Sequence, residues 1–412
     1  ADCTLNLSDC RSYGKCGDGI TQFEQGELCD GWDSGEQTCA DLDFWSGTLY
    51  CSEFCRVFGT GECRRAVGIS VGSAHACVMD EQSIPYCWGD NTRLQAGATP
   101  GVMSVSLPQP LDEVYCAESA VPILGFDTTC FHCAPRLWCF GDNRHGQLGL
   151  SDTLNRTVPA LIEWTSGNPW MEMAAGARHL CGIDTSGHAA CAGANDVGQL
   201  GDGTCEDRPQ FEAVQQPAQT AFMHVAAGDD FTCALDASGD TWCWGGNDFG
   251  QLGDGTQTSR SAPVRAVHEL PFSAITAGDF HACALDVSGN AWCWGKNDHG
   301  QLGVGHLNVQ NVPSAVHMPP GGFFRRLRCG GDSCCGVDQN SRIWCWGKND
   351  EGQLGIGSGP DRSEPQAILA PSDASFTDVG VGGAFACALD SKSRVYCWGA
   401  NSRGQLGNGS QT

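Results

Sequence analysis

Short apolar runs punctuated by polar turn residues recur along most of the chain. In "ALDASGDTWCWG" (234–245) and "ALDVSGNAWCWG" (284–295), two runs of strand character flank a polar Ser-Gly pair, the pattern of a β-hairpin. No stretch of this kind keeps the 3.6-residue periodicity of an amphipathic helix over three turns. Proline-led segments such as "APVRAV" (262–267) and "VPSAV" (312–316) follow and read as a further strand. The predicted architecture is all-β.

These hairpins belong to a repeat. Seven copies of one motif run from "CWGDNTRLQAG" to "CWGANSRGQLG", led by Cys87, Cys139, Cys191, Cys243, Cys293, Cys345 and Cys397. Successive copies stand 52 residues apart, with one interval of 50. A period near 50 suits a four-stranded propeller blade. Residues 64–412 are therefore expected to form a seven-bladed β-propeller.

A second cysteine precedes the first by ten residues in six copies, giving Cys77/Cys87, Cys181/Cys191, Cys233/Cys243, Cys283/Cys293, Cys335/Cys345 and Cys387/Cys397. In the second copy either Cys130 or Cys133 can partner Cys139. A hairpin turn at the centre brings such a pair opposite each other, about 4.5 Å apart at Cα, within disulfide reach. Zinc fits less well, because C-x9-C lacks the close pairing of zinc sites. Each bridge would contribute about 2–3 kcal/mol on the chain-entropy model.

Trp242 and Trp244, Trp292 and Trp294, and Trp344 and Trp346 flank their cysteine, so strand alternation puts both rings on one face, filling the wedge between blades. Ala190 and Ala192 replace them in the third copy, and the first reads "NTRLQAG" where others read "GQLG". Those two blades are expected to pack less tightly. The motif "CWGxNxxGQLGxG", with the preceding "AGDFHACALD" (277–286), resembles the repeat of the regulator of chromosome condensation family. The resemblance covers roughly residues 64–412 and implies a seven-bladed propeller. It leaves function open, since members include a nuclear nucleotide exchange factor and a secreted bacterial inhibitor of β-lactamases.

In four repeats a proline lies 16 residues after the repeat asparagine; for the last repeat that position would be 417, past Thr412. The seventh blade is thus expected to lack an outer strand of its own, with "RVFGT" (56–60) closing it in cis. A strand donated by another subunit is the alternative.

Composition adds the setting. Twenty-seven cysteines read as disulfides imply an oxidising compartment. The opening "ADCTLNLSDC" has no basic n-region or apolar core and reads as a mature end after signal-peptide removal, so an extracellular or cell-surface location is expected. Forty-eight acidic against 23 basic residues, a net charge of −25, argue against nucleic acid as a partner. No apolar run is long enough to span a membrane. Residues 1–63 hold eight cysteines and read as a small disulfide-rich module. Its "CGDGITQFEQGELCDGWDSGEQTC" (16–39) is similar to the cysteine-rich repeats of secreted myxobacterial proteins and implies a bacterial source. Asp18, Glu27, Asp30 and Asp33 offer hard oxygen donors suited to calcium, without EF-hand spacing. No other cofactor is expected.

Among the remaining cysteines, Cys116 can pair with the spare one of Cys130 and Cys133, and Cys329 with Cys334. That leaves Cys205 as a free thiol or an interchain link. His75, His179 and His281 share one repeat position in alternate blades and read as packing; they would ring a metal only if that position lined the axis. No GxSxG, HExxH or phosphate-cradling motif occurs, so no enzyme is expected. The expected function is non-catalytic binding or structure: a disulfide-stapled disc presenting loops to a protein or polysaccharide, or assembling with copies of itself into a layer or fibre. A secreted enzyme inhibitor acting as a 1:1 complex is the alternative, and a hydrolase of polysaccharide a third reading. The irregular loops 92–132 and 164–170 are the expected contact segments, with Trp164 and Trp170 as partner-binding candidates and buried packing as the alternative for both.

Overall fold

The computed structural model describes residues 50–51, 58–59, 65–81, 83–96, 104–110, 121–133, 136–162, 168–319 and 322–411. The chain separates into two compact units, 1–67 with 390–395, and 68–389 with 396–412. In the first unit, Tyr50–Cys51 pairs antiparallel with Phe58–Gly59. The described part of the 56–60 segment therefore pairs with its own sequence neighbour. Asp18, Glu27, Asp30, Asp33 and Trp164 lie outside the described residues.

Seven antiparallel sheets follow in chain order, six of four strands and the last of three among the described residues. Blade five shows how sequence makes a blade. Its strands are Phe272–Ala277, His281–Asp286, Ala291–Gly295 and Gln310–Ala315. The central hairpin turns at Asp286, whose carboxylate accepts the N–H groups of Ser288 at 2.8 Å and Asn290 at 3.0 Å, while Gly289 supplies a φ of 84°. This turn places Cys283 directly opposite Cys293, and the two are bonded. The same register bonds Cys77–Cys87, Cys130–Cys139, Cys181–Cys191, Cys233–Cys243, Cys335–Cys345 and Cys387–Cys397. Cys130 thus takes the repeat position, and Cys133 belongs to a different disulfide. The outer strand slips register between Gln310 and Ser314, where Pro313 has no N–H to give.

The core lies between blades. Trp294 is fully buried, stacks on Phe272 at 6.3 Å, and donates its indole N–H to the Gln251 carbonyl of blade four at 2.9 Å. Trp346 and Trp398 repeat this bond to Gln301 and Gln353. Trp88 of blade one makes it to Gln405 of blade seven at 2.8 Å, which closes the ring. Trp292 faces the same neighbouring blade but is only partly buried, its N–H aimed at Asp286.

Blade three is filled by other means than the expected looseness. The ring that covers Gly149 comes from Phe211, on the outer strand, where Trp244, Trp294 and Trp346 cover Gly201, Gly253 and Gly303. Ala190 and Ala192 are fully buried beneath neighbouring side chains.

Blade one carries strain. Leu94 has a φ of 74° at the position held by Gly146, Gly198, Gly250, Gly300, Gly352 and Gly404 in the other copies, all at positive φ. A side chain in this region costs about 1–2 kcal/mol. Leu94→Gly is expected to stabilise the protein by about 1 kcal/mol in denaturant titration. A loss of stability would mean that Leu94 packing outweighs its backbone strain.

Candidate functional site

The inner strands converge on the axis around a small cavity of about 80 Å³, to which all seven blades contribute. Glycines make this convergence possible. A Cβ on Gly228 would stand 2.7 Å from the Gly278 carbonyl oxygen, and one on Gly382 would stand 2.5 Å from that of Gly72. Adjacent blades are joined here by backbone bonds, from Asp229 N–H to Asp279 O at 2.9 Å and from Asp279 N–H to Gly331 O at 3.0 Å.

Carboxylates crowd the turns that follow these glycines: Asp229 and Asp279 one residue on, Asp127, Asp230 and Asp332 two residues on. The glutamine at the repeat's "GQLG" position holds three of them, Asp127 through Gln95, Asp230 through Gln251 and Asp332 through Gln301. Its oxygen accepts a backbone N–H two residues back, as Gln301 does from His299 at 2.9 Å. Its amide then donates outward: Gln95 to Asp90 and Asp127, each at 3.2 Å, Gln199 to Asp196 at 2.8 Å, and Gln301 to Asp332 at 3.0 Å. A motif read as a turn is also the support of an acidic rim.

Part of that rim is compensated. Lys296 lies 3.1 Å from Asp332, and Arg144 and Arg178 pair with Asp142 and Asp196. Asp229, Asp230 and Asp279 have no such ion pair among the described residues. Burial, then the charges of Asp332 and Asp229, push the Asp279 carboxyl up to about 7. Burial and neighbouring Asp229 push Asp230 up to about 6. Asp229 is raised as well, by burial first. These groups resist ionising together at neutral pH, and a cation placed among them would relieve the conflict.

The three histidines lie in blade interfaces. His75 Nε2 meets Thr129 Oγ1 at 2.7 Å, and Thr129 donates its only proton to the Gln95 carbonyl at 2.7 Å. His179 and Thr232 repeat the relay onto Gln199. Each imidazole must then be the donor through Nε2–H, leaving Nδ1 as a bare lone pair. Burial drives His75 down to about 3 and His179 to about 4, so both are neutral.

Trp170 is a correction. It is 2% exposed, packs on Phe211 with ring centroids 5.0 Å apart, and opens the inner strand Trp170–Ala175. Phe222, Phe272, Phe324 and Phe376 open the corresponding strands and are buried too. The comparison of "WMEMAAG" with "FMHVAAG" carried this signal, since both aromatics stand six residues before the axial glycine. Cys205 is an exposed free thiol.

Blades of this kind, each stacked on the next through a tryptophan and closed around glycines, define a seven-bladed repeat propeller with an acidic mouth. The chain belongs to the regulator of chromosome condensation (RCC1) repeat family, whose repeat matches residues 136–183, 187–235, 238–285, 288–337 and 340–389, more than half of the sequence. It is 27% identical over 352 residues to the ultraviolet-B receptor UVR8 of Arabidopsis thaliana, covering 84% of this chain and 79% of the receptor. It is 26% identical over 337 residues to human E3 ubiquitin-protein ligase HERC2, covering 79% of this chain but only 7% of that protein. Among solved structures, human WBSCR16 matches with a TM-score of 0.71 at 20% identity, over 80% of this chain and 88% of that one. Yeast RCC1 (Prp20), in complex with Kap60, matches with a TM-score of 0.69 at 20% identity, over 80% and 81%. Among the described residues no helix is long and apolar enough to cross a membrane.

Proposed function

We propose that this propeller is a non-catalytic protein-binding disc, secreted or displayed at the cell surface, that receives a lysine- or arginine-rich segment of a partner at its acidic mouth. Asp229, Asp230 and Asp279 carry this reading: Asp279 lines the axial cavity, Asp229 acts on both of the others, all three carboxyls are raised, and none makes an ion pair among the described residues, Arg178 and Lys296 only partly offsetting Asp229 and Asp279. The net charge of −25 would steer such a partner from a distance. Propeller relatives support a docking role, since yeast Prp20p is described by its binding to Gsp1p and histones. Eight disulfides among the described residues support an oxidising location.

The test immobilises the full chain and compares lysine-rich with glutamate-rich peptides of equal length. The lysine-rich peptide is expected to bind, to weaken about tenfold between low and physiological salt, and to lose most affinity against the triple variant Asp229→Asn, Asp230→Asn, Asp279→Asn. Equal binding of both peptides, or full retention by the triple variant, would overturn the assignment of the mouth.

A further inference from the structure

One disulfide has no counterpart in the other described blades. Cys329 and Cys334 face each other across the inner hairpin of blade six and are bonded. Cys329 stands where Val71, Leu124, Ala175, Ala227, Ala277 and Val381 line the axial cavity, and it lines that cavity too, 8% exposed. Cys334 stands where Thr129 and Thr232 accept the histidine of the preceding blade. His281 Nε2 accordingly lies 3.1 Å from Cys334 Sγ. A disulfide sulfur has no proton, so this contact is Nε2–H donating to sulfur. His281 Nδ1, buried and without a hydrogen-bond partner, is the bare nitrogen of that tautomer.

We propose that Cys329–Cys334 is a thiol-exchange site, opened by small thiols that enter the axial cavity, with His281 holding the sulfur that leaves. An incoming thiolate RS⁻ attacks Cys329 Sγ, the S–S bond breaks, and its electron pair passes to Cys334 Sγ. The new Cys334 thiolate accepts the His281 Nε2–H bond, a donor already aimed at the developing charge. A second RS⁻ attacks the mixed disulfide, releasing RSSR and the Cys329 thiolate. Two thiols are thus oxidised to one disulfide, and the bridge gains two electrons. This site is independent of the acidic mouth and of any partner bound there.

The bridge of blade seven is the internal control. Cys397 is partly exposed, while both sulfurs of the other six hairpin bridges are buried, and no imidazole touches Cys397 among the described contacts. The experiment exposes the native full chain to reduced glutathione, traps thiols by alkylation at set times, and maps the peptides by mass spectrometry. Cys329–Cys334 is expected to open at least about tenfold faster than the six buried bridges, with glutathione attached to Cys329. His281→Phe places at this position the residue that blades four and seven already carry, Phe231 and Phe385. It is expected to slow the opening about tenfold while leaving Cys387–Cys397 unchanged. A double variant, Cys329→Ala with Cys334→Thr, reproduces the threonine arrangement and should take up no early label. Opening no faster than the buried bridges, glutathione on Cys334, or an unchanged rate in His281→Phe would each overturn the proposal.

Discussion

Trp294→Ala is expected to destabilise the propeller by about 4 kcal/mol, and Trp292→Ala, two residues away on the same strand, by about 1 kcal/mol. Both rings face blade four, so strand alternation alone gives them equal weight. The structure separates them. Trp294 is fully buried, stacks on Phe272 and donates to the Gln251 carbonyl. Its removal leaves a cavity and a buried carbonyl that has lost its donor from the neighbouring blade. Trp292 is partly buried at the edge of that cluster, its ring 6.4 Å from Phe272, and its indole N–H reaches the hairpin aspartate of its own blade at 3.4 Å rather than a neighbouring blade. Urea titrations of the two variants measure the difference directly. Equal losses would mean that the seam between blades is held by area alone rather than by the inner tryptophan and its carbonyl.

Asp279→Asn is expected to stabilise the protein by about 2–4 kcal/mol at pH 8 and to have little effect at pH 4. The sign follows from protonation. The Asp279 carboxyl is raised in the folded state from 3.8 to about 7, by burial first and then by Asp332 and Asp229. Below pH 4 it is protonated folded and unfolded, and contributes nothing to the pH dependence. As pH climbs towards 7 the unfolded chain ionises while the folded one holds its proton, so stability falls, and the loss is complete once pH passes the folded value. Asparagine removes this loss. Thermal denaturation of both proteins between pH 4 and 8 tests it, and parallel curves would show that Asp279 is solvated and ordinary. The hairpin-turn carboxylates Asp184, Asp286 and Asp338 act oppositely. Burial would raise Asp338, but the Arg342 backbone N–H, the Trp344 indole and the Arg342 side chain together hold it below the usual range. Its contribution is present above pH 4 and is lost as pH falls through that lowered value.

The axial acid site is therefore a place where stability is spent. Asp229, Asp230 and Asp279 raise the free energy of the folded state at neutral pH, and a cationic partner would recover it. It is this conflict that the proposed cationic partner would relieve.

What could be read from the sequence was whatever repeats at fixed spacing. The cysteines ten residues apart, the tryptophans beside them and the seven-fold period all report local hairpins, and local hairpins need only neighbouring residues. Trp170 was misplaced because it was weighed as part of an irregular loop, although its distance to Gly176 matches that of Phe222 to Gly228. The acidic mouth escaped for another reason. Asp127, Asp230 and Asp332 occupy one repeat position, Asp229 and Asp279 another, and neither position is acidic in every copy. Stacking of blades four, five and six brings Asp229, Asp230, Asp279 and Asp332 together, and only the side-chain amides of Gln251 and Gln301 show that Asp230 and Asp332 are held. The substitution of Phe211 for a missing tryptophan was equally hidden, because the replacement ring comes from a different strand of the blade.

The central claim is that seven blades close into one ring, each riveted by its own bridge. Proteolysis of the unreduced protein under acidic conditions, followed by mass spectrometry of the linked peptides, tests it most directly. The account predicts Cys77 joined to Cys87, Cys283 to Cys293 and Cys387 to Cys397, with every hairpin bridge inside a single blade. Peptides linking these cysteines between different blades, or carrying them as free thiols, would contradict it.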